Sequence, residues 1–404
     1  MNLPKITVVI PTRERCDVLQ RSLRTVTSQD YDNLEIIVSD NYSCDGTEEA
    51  VRAIQDSRVK YVNTGKRLSM SHNWEFAISH VADGWVTVIG DDDALLQNAL
   101  TSVAEIIKST GTQAIRARVC EYVWPSLTGT GFGTLSIPLT TGYEVRDSKL
   151  WLGKVMSGVA RYPELPMLYN GGFICTALLT EIKRRTGALY KSLTPDVYSA
   201  LSIASVVERY VHSSEPLAIN GASKYSTGTS SFSKGEKSDG APTEVFRSEE
   251  NIPFHKDLPL CVDSSYPPSI HAIIYESYLQ SAGLRPEALQ NINTQQLEII
   301  LATSGQHKRE VDDWGKIFAA THGLDFEEIH FKAMMRWLYI KLALFPRRVS
   351  AALNTYYAVG SESLPIADVC EAVAVVTDIR GARPSKFITG RQLLGRVIVG
   401  SSRI

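Results

Sequence analysis

Three consecutive carboxylates, Asp91-Asp92-Asp93, follow Gly90 and the apolar run Trp85–Ile89 (WVTVI). Like charges this close repel one another, so something cationic must compensate them. Hard oxygen donors suit Mg²⁺ or Mn²⁺, which take few protein carboxylates and complete their octahedra with phosphate oxygens and water. The alternative is a solvated turn or helix cap, but a position straight after a buried strand favours a metal. A second polar stretch, Asp40-Asn41-Tyr42-Ser43-Cys44-Asp45-Gly46-Thr47, follows Leu34–Ser39 (LEIIVS). Asp40 can accept hydrogen bonds from a nucleobase or ribose, or it can shape the turn. Asp45-Gly46 reads better as turn punctuation, with Asp45 or Thr47 as the next helix cap. A third stretch, Pro11-Thr12-Arg13-Glu14, ends the run Lys5–Ile10 (KITVVI).

These three stretches need elements to hold them, and the chain between them alternates strand and helix. Helices are expected over 17–27, with Val18, Leu19, Leu23 and Val26 on one face, and over 47–54 and 70–81. A short strand is expected at Val59–Val62. Near-continuous apolar strands alternating with helices predict an α/β fold, a mostly parallel sheet with helices on both faces. Ligands in such sheets sit outside the carboxyl ends of the strands, where all three polar stretches fall. The acidic triplet is expected to lead into a helical Ala94-Leu95-Leu96. No G-x-G-x-x-G turn follows a strand and no G-x-x-x-x-G-K-[ST] loop exists, which sets aside nicotinamide oxidoreductases and P-loop NTPases.

Strand–PTRER, strand–SDNYSCDGT and strand–GDDD–ALL together resemble the family 2 glycosyltransferases with a GT-A fold, the type that builds bacterial cell-surface polysaccharides. The resemblance covers residues 5 to 100, thins between Gly111 and Asn170, and has no counterpart beyond 260. It implies that Pro11, Thr12 and Glu14 border the nucleoside and that Asp40 meets the base, favouring uracil through its N3–H. It also implies that Arg67 lies close to the donor and that Asn73 is the family's frequent asparagine in the third helix. Asp91 and Asp92 are implied to bind donor, Asp92 nearer the ribose, with Asp93 the metal ligand. Gly90 stands where the family often has an acid, which leaves open which aspartate touches the metal.

The family's second half holds the acceptor site and, in inverting members, a catalytic carboxylate, often in a Glu-Asp pair at a helix start. Asn170-Gly171-Gly172-Phe173 resembles the small-residue turn before that site. Thr194-Pro195-Asp196-Val197-Tyr198 then opens a helix to Val207. Asp196, the only acid between Glu181 and Glu208, is the implied base, with Pro195 where the family often has Glu. Alternatively, Thr194 caps the helix, Pro195 sits at its first position, and Asp196 merely favours the helix dipole.

The implied activity is inverting, metal-dependent transfer of a sugar from a nucleotide-sugar, UDP-sugar favoured, to a hydroxyl of a glycan or lipid-linked acceptor. A sugar nucleotidyltransferase and a catalytically silent GT-A scaffold are the rival readings. The expected organisation is a GT-A domain over 1–260, donor half 1–110 and acceptor half 111–260, followed by a mainly helical region over 261–404. Helices are expected at 270–280, 313–320 and 326–344. Within the first domain, the polar Ser223–Asn251 reads as a lid bringing Lys224 or Lys234 to the phosphates. Six scattered cysteines without a C-x-x-C pair read as reduced thiols.

The formal net charge of −2 is unevenly spread: from Phe331 onward, 11 Lys and Arg stand against 4 Asp and Glu. Such a tail is expected to meet something anionic, with a membrane surface as one candidate and no nucleic acid. Phe331–Arg348 mixes apolar and basic residues as an interfacial helix does. No signal-peptide pattern opens the chain and no apolar run spans a bilayer, so a cytoplasmic protein is expected, soluble or peripheral on the inner face of the membrane.

Overall fold

Seven successive residues, Ile6–Thr12, form strand β1, and each of them is buried. Ile6, Val8 and Ile10 pack on one face and Val9 on the other, as the two-residue period of a strand requires. The computed structural model describes residues 3–226, 249–285, 294–359, 365–381 and 388–389.

β1 is followed by α1 (Cys16–Thr27), β2 (Leu34–Asp40), α2 (Thr47–Arg52), β3 (Val59–Asn63), α3 (Met70–Ser79) and β4 (Trp85–Val88). These strands pair in parallel in the order β3-β2-β1-β4. Leu19, Leu23 and Val26 of α1 and Val51 of α2 cover one face of this sheet, while Trp74 and Ala77 of α3 cover the other. Each such buried aliphatic side chain contributes about 1.5–3 kcal/mol relative to exposure.

After the acidic triplet comes a two-residue strand, β5 (Ala94–Leu95), not the expected helix. It pairs antiparallel with Ala218 and Ile219 of a distant strand, a contact that overrides local helix propensity. Helix α4 (Ala99–Thr110) then leads into β6 (Ala114–Val123) and a single helical turn, α5 (Pro125–Thr128). Next come β7 (Thr134–Pro138), β8 (Tyr143–Asp147), α6 (Ser148–Met156), β9 (Gly172–Cys175), α7 (Thr176–Thr186), α8 (Pro195–Val206) and β10 (Arg209–Ala222). β9 lies antiparallel between β4 and β6, and β10 runs parallel to β6, which extends the sheet as a mixed one.

Beyond residue 261 the chain divides. Helices Ile270–Gln280, Thr294–Ala302, Lys308–His322 and Phe326–Leu353 form a core around Trp314 and Phe318. Ile274 and Tyr278 also pack with Val197, Ala200 and Leu201 of α8. The following residues return to the sheet: β11 (Thr355–Val359) pairs with β7, and Val369–Gly381 packs beside Val18 and Tyr122. The region is therefore mainly helical, with two described strands, β11 and Ile388–Thr389, that join the same sheet.

Candidate active site at the strand ends

β1 and β2 each extend past the apolar run, so that Thr12 and Asp40 are their last residues and pair with each other in register. Asp40 is buried, and three donors already hold its carboxylate. The Ser43 N–H reaches Oδ1 at 3.0 Å, and the Tyr61 hydroxyl and Asn63 Nδ2 reach Oδ2 at 2.6 and 3.3 Å. A nucleobase N–H arriving at Oδ2 would compete first with Asn63, the longest of the three bonds. Glu14 takes the left-handed conformation at φ 52°, uncommon for a non-glycine residue. Its N–H donates to Ser43 Oγ at 2.8 Å, and its Oε1 accepts from the Cys44 N–H at 3.1 Å and from Arg67 at 2.6 Å. Thus Glu14 and Arg67 tie the ends of β1 and β3 together across the Asp40 turn. Pro11 is buried opposite Ser39. Asn73 is also buried and accepts the Ser39 hydroxyl at 3.0 Å, bracing the sheet from α3.

The three aspartates diverge. Asp91 accepts Thr12 Oγ1 at 2.8 Å on one oxygen and Arg15 on the other at 3.0 Å. Burial pushes its carboxyl up, against the pull of the Arg15 guanidinium. Burial lowers Arg15 in turn, but Asp91 and Asp92 outweigh it and hold the guanidinium above its ordinary value. Arg15 therefore supplies part of the cationic compensation that the triplet requires.

Asp93 is fully buried and points inward: its Oδ2 accepts the Gly90 N–H at 2.6 Å, its Oδ1 accepts the Gly221 N–H at 2.8 Å, and the Tyr169 hydroxyl donates to it as well. Burial and the neighbouring Asp92 hold its carboxyl well above the usual range. A Cβ on residue 90 would lie 2.9 Å from Asp93 Oδ2 and 3.2 Å from the Tyr169 hydroxyl. Glycine at 90, where an acid is common, leaves the room that Asp93 uses to turn in. Residue 221 is glycine for a like reason, since a Cβ there would collide with the Asp92 carbonyl.

Asp92 Oδ2 accepts two hydroxyls, Ser223 at 2.6 Å and Ser226 at 2.7 Å, and its carbonyl accepts Trp124 Nε1 at 3.0 Å. The Tyr225 carbonyl accepts from Arg15, so residues 223–226 rest directly on the acids. Glu249, beyond the next segment, pairs with Arg13. Of the expected lid, residues 227–248, with Lys234, lie outside the described residues; Lys224 donates its N–H to Ser126 Oγ at 3.2 Å.

Which carboxylate can hold a divalent ion follows from which oxygens are uncommitted. Both oxygens of Asp91 and of Asp93 already accept hydrogen bonds, whereas no described residue bonds Asp92 Oδ1. Among the described residues no three His, Cys, Asp or Glu side chains converge as a ready-made metal site. Mg²⁺ and Mn²⁺ need only one or two carboxylates when phosphate oxygens supply the rest, so a one-carboxylate site at Asp92 fits them.

Asp196 lies at the N-terminal end of α8, with Pro195 at the first helical position. Thr194 makes no capping bond, and its buried hydroxyl has no partner, so it is not a side-chain cap. Burial raises the Asp196 carboxyl, partly opposed by the Tyr162 hydroxyl, which donates to Oδ2 at 2.9 Å, and by N–H groups of the first turn. Arg116 on β6 fixes the intervening loop by donating to the carbonyls of Pro163 at 2.6 Å and Asn170 at 2.5 Å. That loop carries both Tyr162 and Tyr169. The Tyr169 hydroxyl, held above its ordinary value by burial and by Asp93 and Asp92, also feels Asp196. Tyr162 and Tyr169 of this one loop thus bond the acid of α8 and the last of the three acids after β4.

Of the expected residues, Thr12 and Asp91 join the acid cluster, while Glu14, Asp40 and Arg67 form a second cluster. Asn73 braces the sheet. Arg15, Tyr162, Tyr169, Ser223 and Ser226 were not expected. Only Arg15 carried a signal, as a cation within PTRER close to a triplet in need of one.

A parallel half-sheet with helices on both faces and polar strand ends is the α/β arrangement that the resemblance to GT-A proteins implies. The profile of glycosyl transferase family 2 matches residues 7–129. It is 34% identical over 106 residues to the GalNAc(5)-diNAcBac-PP-undecaprenol beta-1,3-glucosyltransferase of Campylobacter jejuni, covering 26% of this chain and 34% of that protein. It is 30% identical over 135 residues to the abequosyltransferase RfbV of Salmonella typhimurium, covering 30% and 40%. The matched stretch thus spans little more than a third of these relatives. Among solved structures, TarS of S. aureus with UDP-GlcNAc aligns at a TM-score of 0.49 and 13% identity, over 85% of this chain and 92% of that one.

Proposed function

We propose that the chain is an inverting glycosyltransferase, moving a sugar from a nucleotide-sugar, UDP-sugar favoured, to a hydroxyl of a lipid-linked glycan in bacterial surface polysaccharide synthesis. The observation that carries the reading is that one loop brings a tyrosine to each acid, Tyr169 to the strand-end Asp93 and Tyr162 to Asp196. The Campylobacter relative, whose name gives a polyprenyl diphosphate-linked acceptor, supports a lipid-linked one here.

In this reading Asp92 would hold Mg²⁺ or Mn²⁺ through its uncommitted oxygen, in preference to the inward-turned Asp93. When bound, the ion neutralises charge on the donor diphosphate. Arg15, already at the acids, adds a fixed positive charge to the same end. Asp196 takes the proton of the acceptor hydroxyl as that oxygen bonds to the anomeric carbon. The bond from that carbon to the diphosphate breaks, leaving its electron pair on phosphate oxygen. Tyr162 orients the base. Asp40, Pro11, Thr12 and Glu14 wall the nucleoside, and Arg67 stands beside it.

The test is a panel of UDP-, GDP- and dTDP-sugars incubated with a bacterial lipid extract and Mn²⁺. Release of nucleoside diphosphate supports transfer. Release of pyrophosphate would make the chain a nucleotidyltransferase, and no release with no donor binding would make it a silent scaffold.

A further inference from the structure

The 28-residue helix Phe326–Leu353 has two unlike faces. Ile329, Ala333 and Ile340 are buried against the neighbouring helices. Wound at about 3.6 residues per turn, the opposite side is a stripe of Phe331, Met334, Met335, Leu338, Leu342 and Phe345. Each keeps 47–65% of its surface exposed. Single exposed hydrophobics are ordinary, but a continuous stripe of six marks an interaction surface.

Basic residues border that stripe, Lys332 on one edge and Lys341 and Arg348 on the other, with Tyr339 and Trp337 beside them. The helix's only acids, Glu327 and Glu328, lie in its first turn. Lys341 and Arg348 form no ion pair with a described residue, and Lys341 Nζ sits 4.0 Å over the Trp337 ring. No described helix is long and apolar enough to cross a membrane. An apolar face with cationic edges and flanking aromatics is the pattern of a helix that lies in a bilayer interface.

The helix is also fastened beside the candidate base. Arg347 donates to the Val159 carbonyl at 3.0 Å, and a Cβ on Gly158 would touch Ile340 at 3.0 Å. Three residues on from Val159, Tyr162 donates to Asp196.

We propose that this face docks the protein on an anionic lipid bilayer. A second copy is the poorer occupant, because its matching face carries more cations than acids and one of its two acids, Glu328, is already paired with Lys332. The inference rests on the lipid-linked acceptor only for its sense, since docking would hold Asp196 near such an acceptor. Lipid binding itself is read without any transfer chemistry.

The full-length chain is sedimented with vesicles of equimolar phosphatidylglycerol and phosphatidylcholine, and with phosphatidylcholine alone. Binding to the anionic vesicles, weakened by salt, is the expected result. Leu338→Glu and Leu342→Glu should each weaken it about tenfold, and Lys341→Ala about fivefold. UDP binding by calorimetry should be unchanged in all three, which also verifies their folding. Absence of binding by the unmodified chain, or undiminished binding by the Leu→Glu variants, would overturn the proposal. So would a dimer in ultracentrifugation that Leu338→Glu dissociates without any vesicle binding. Vesicle binding without UDP binding would instead strike at the donor site and leave the docking face standing.

Discussion

The end of β4 and the start of α8 both present carboxylates, fully buried at Asp93 and part-buried at Asp196, and they differ in how those carboxylates are held. Asp93 accepts the N–H groups of Gly90 and the distant Gly221 and the Tyr169 hydroxyl, whereas Asp196 is held by the Tyr162 hydroxyl and by N–H groups of its own helix's first turn. A carboxylate that saturates several buried donors is part of the framework, because removing it strands those donors. A carboxylate at a helix start with one oxygen, Oδ1, free of any described side chain keeps capacity for a proton. Acidity is common to both; where their donors come from separates their roles.

Asp93→Ala tests that separation with the largest effect. Stranding the N–H groups of Gly90 and Gly221 should cost roughly 3–5 kcal/mol in urea unfolding, at about 1–3 kcal/mol per buried orphan with some relaxation. A metal ligand at the surface of a pocket would instead leave stability nearly unchanged. That outcome would return Asp93 to the metal.

Glu276 sharpens the comparison as a third acid, buried and with intermediate support. Its oxygens accept Ser192 Oγ at 2.5 Å and Gln280 Nε2 at 2.9 Å, yet burial raises it from 4.5 to about 7. A raised folded-state value favours the protonated form. Its contribution is whole below pH 4.5 and declines as pH rises through about 7. The loss amounts to about 3 kcal/mol at 1.36 kcal/mol per unit. Glu276→Gln should therefore flatten stability between these pH values and raise Tm at pH 8. An unchanged pH dependence would show that this carboxyl is already ionised in the fold.

Asp92→Ala should remove the Mn²⁺-dependent part of UDP affinity, by about 10–100-fold if one charge-assisted contact of 1.5–3 kcal/mol is lost. Calorimetry with Mn²⁺ and with EDTA measures it. Equal Mn²⁺ enhancement in the variant would take the ion away from Asp92.

Much of this framework was legible in the sequence because it is local. The runs ending at Thr12, Asp40 and Val88 are buried apolar strands, and the polar residues after them had to lie at the sheet's carboxyl edge. What escaped depended on partners far along the chain. Ala94–Leu95 follows a helix-like pattern but pairs with β10, and the four residues of β9 are a strand because β4 and β6 flank them. Arg15 stood within a quoted motif, yet its role appears only when Asp91, 76 residues on, is placed against it. Ser223 and Ser226 reach Asp92 across more than 130 residues, which no spacing rule foretells.

The account turns on Asp196 as the base that accepts the acceptor's proton. Asp196→Asn keeps the side chain's size and cannot take that proton. The direct measurement is turnover of this variant, with NMR of the anomeric configuration of the unmodified chain's product, once a donor and acceptor pair is in hand. Donor binding should persist, turnover should fall by ~10²–10⁴, and the configuration should be inverted. A fully active Asp196→Asn, or a retained configuration, would contradict the account.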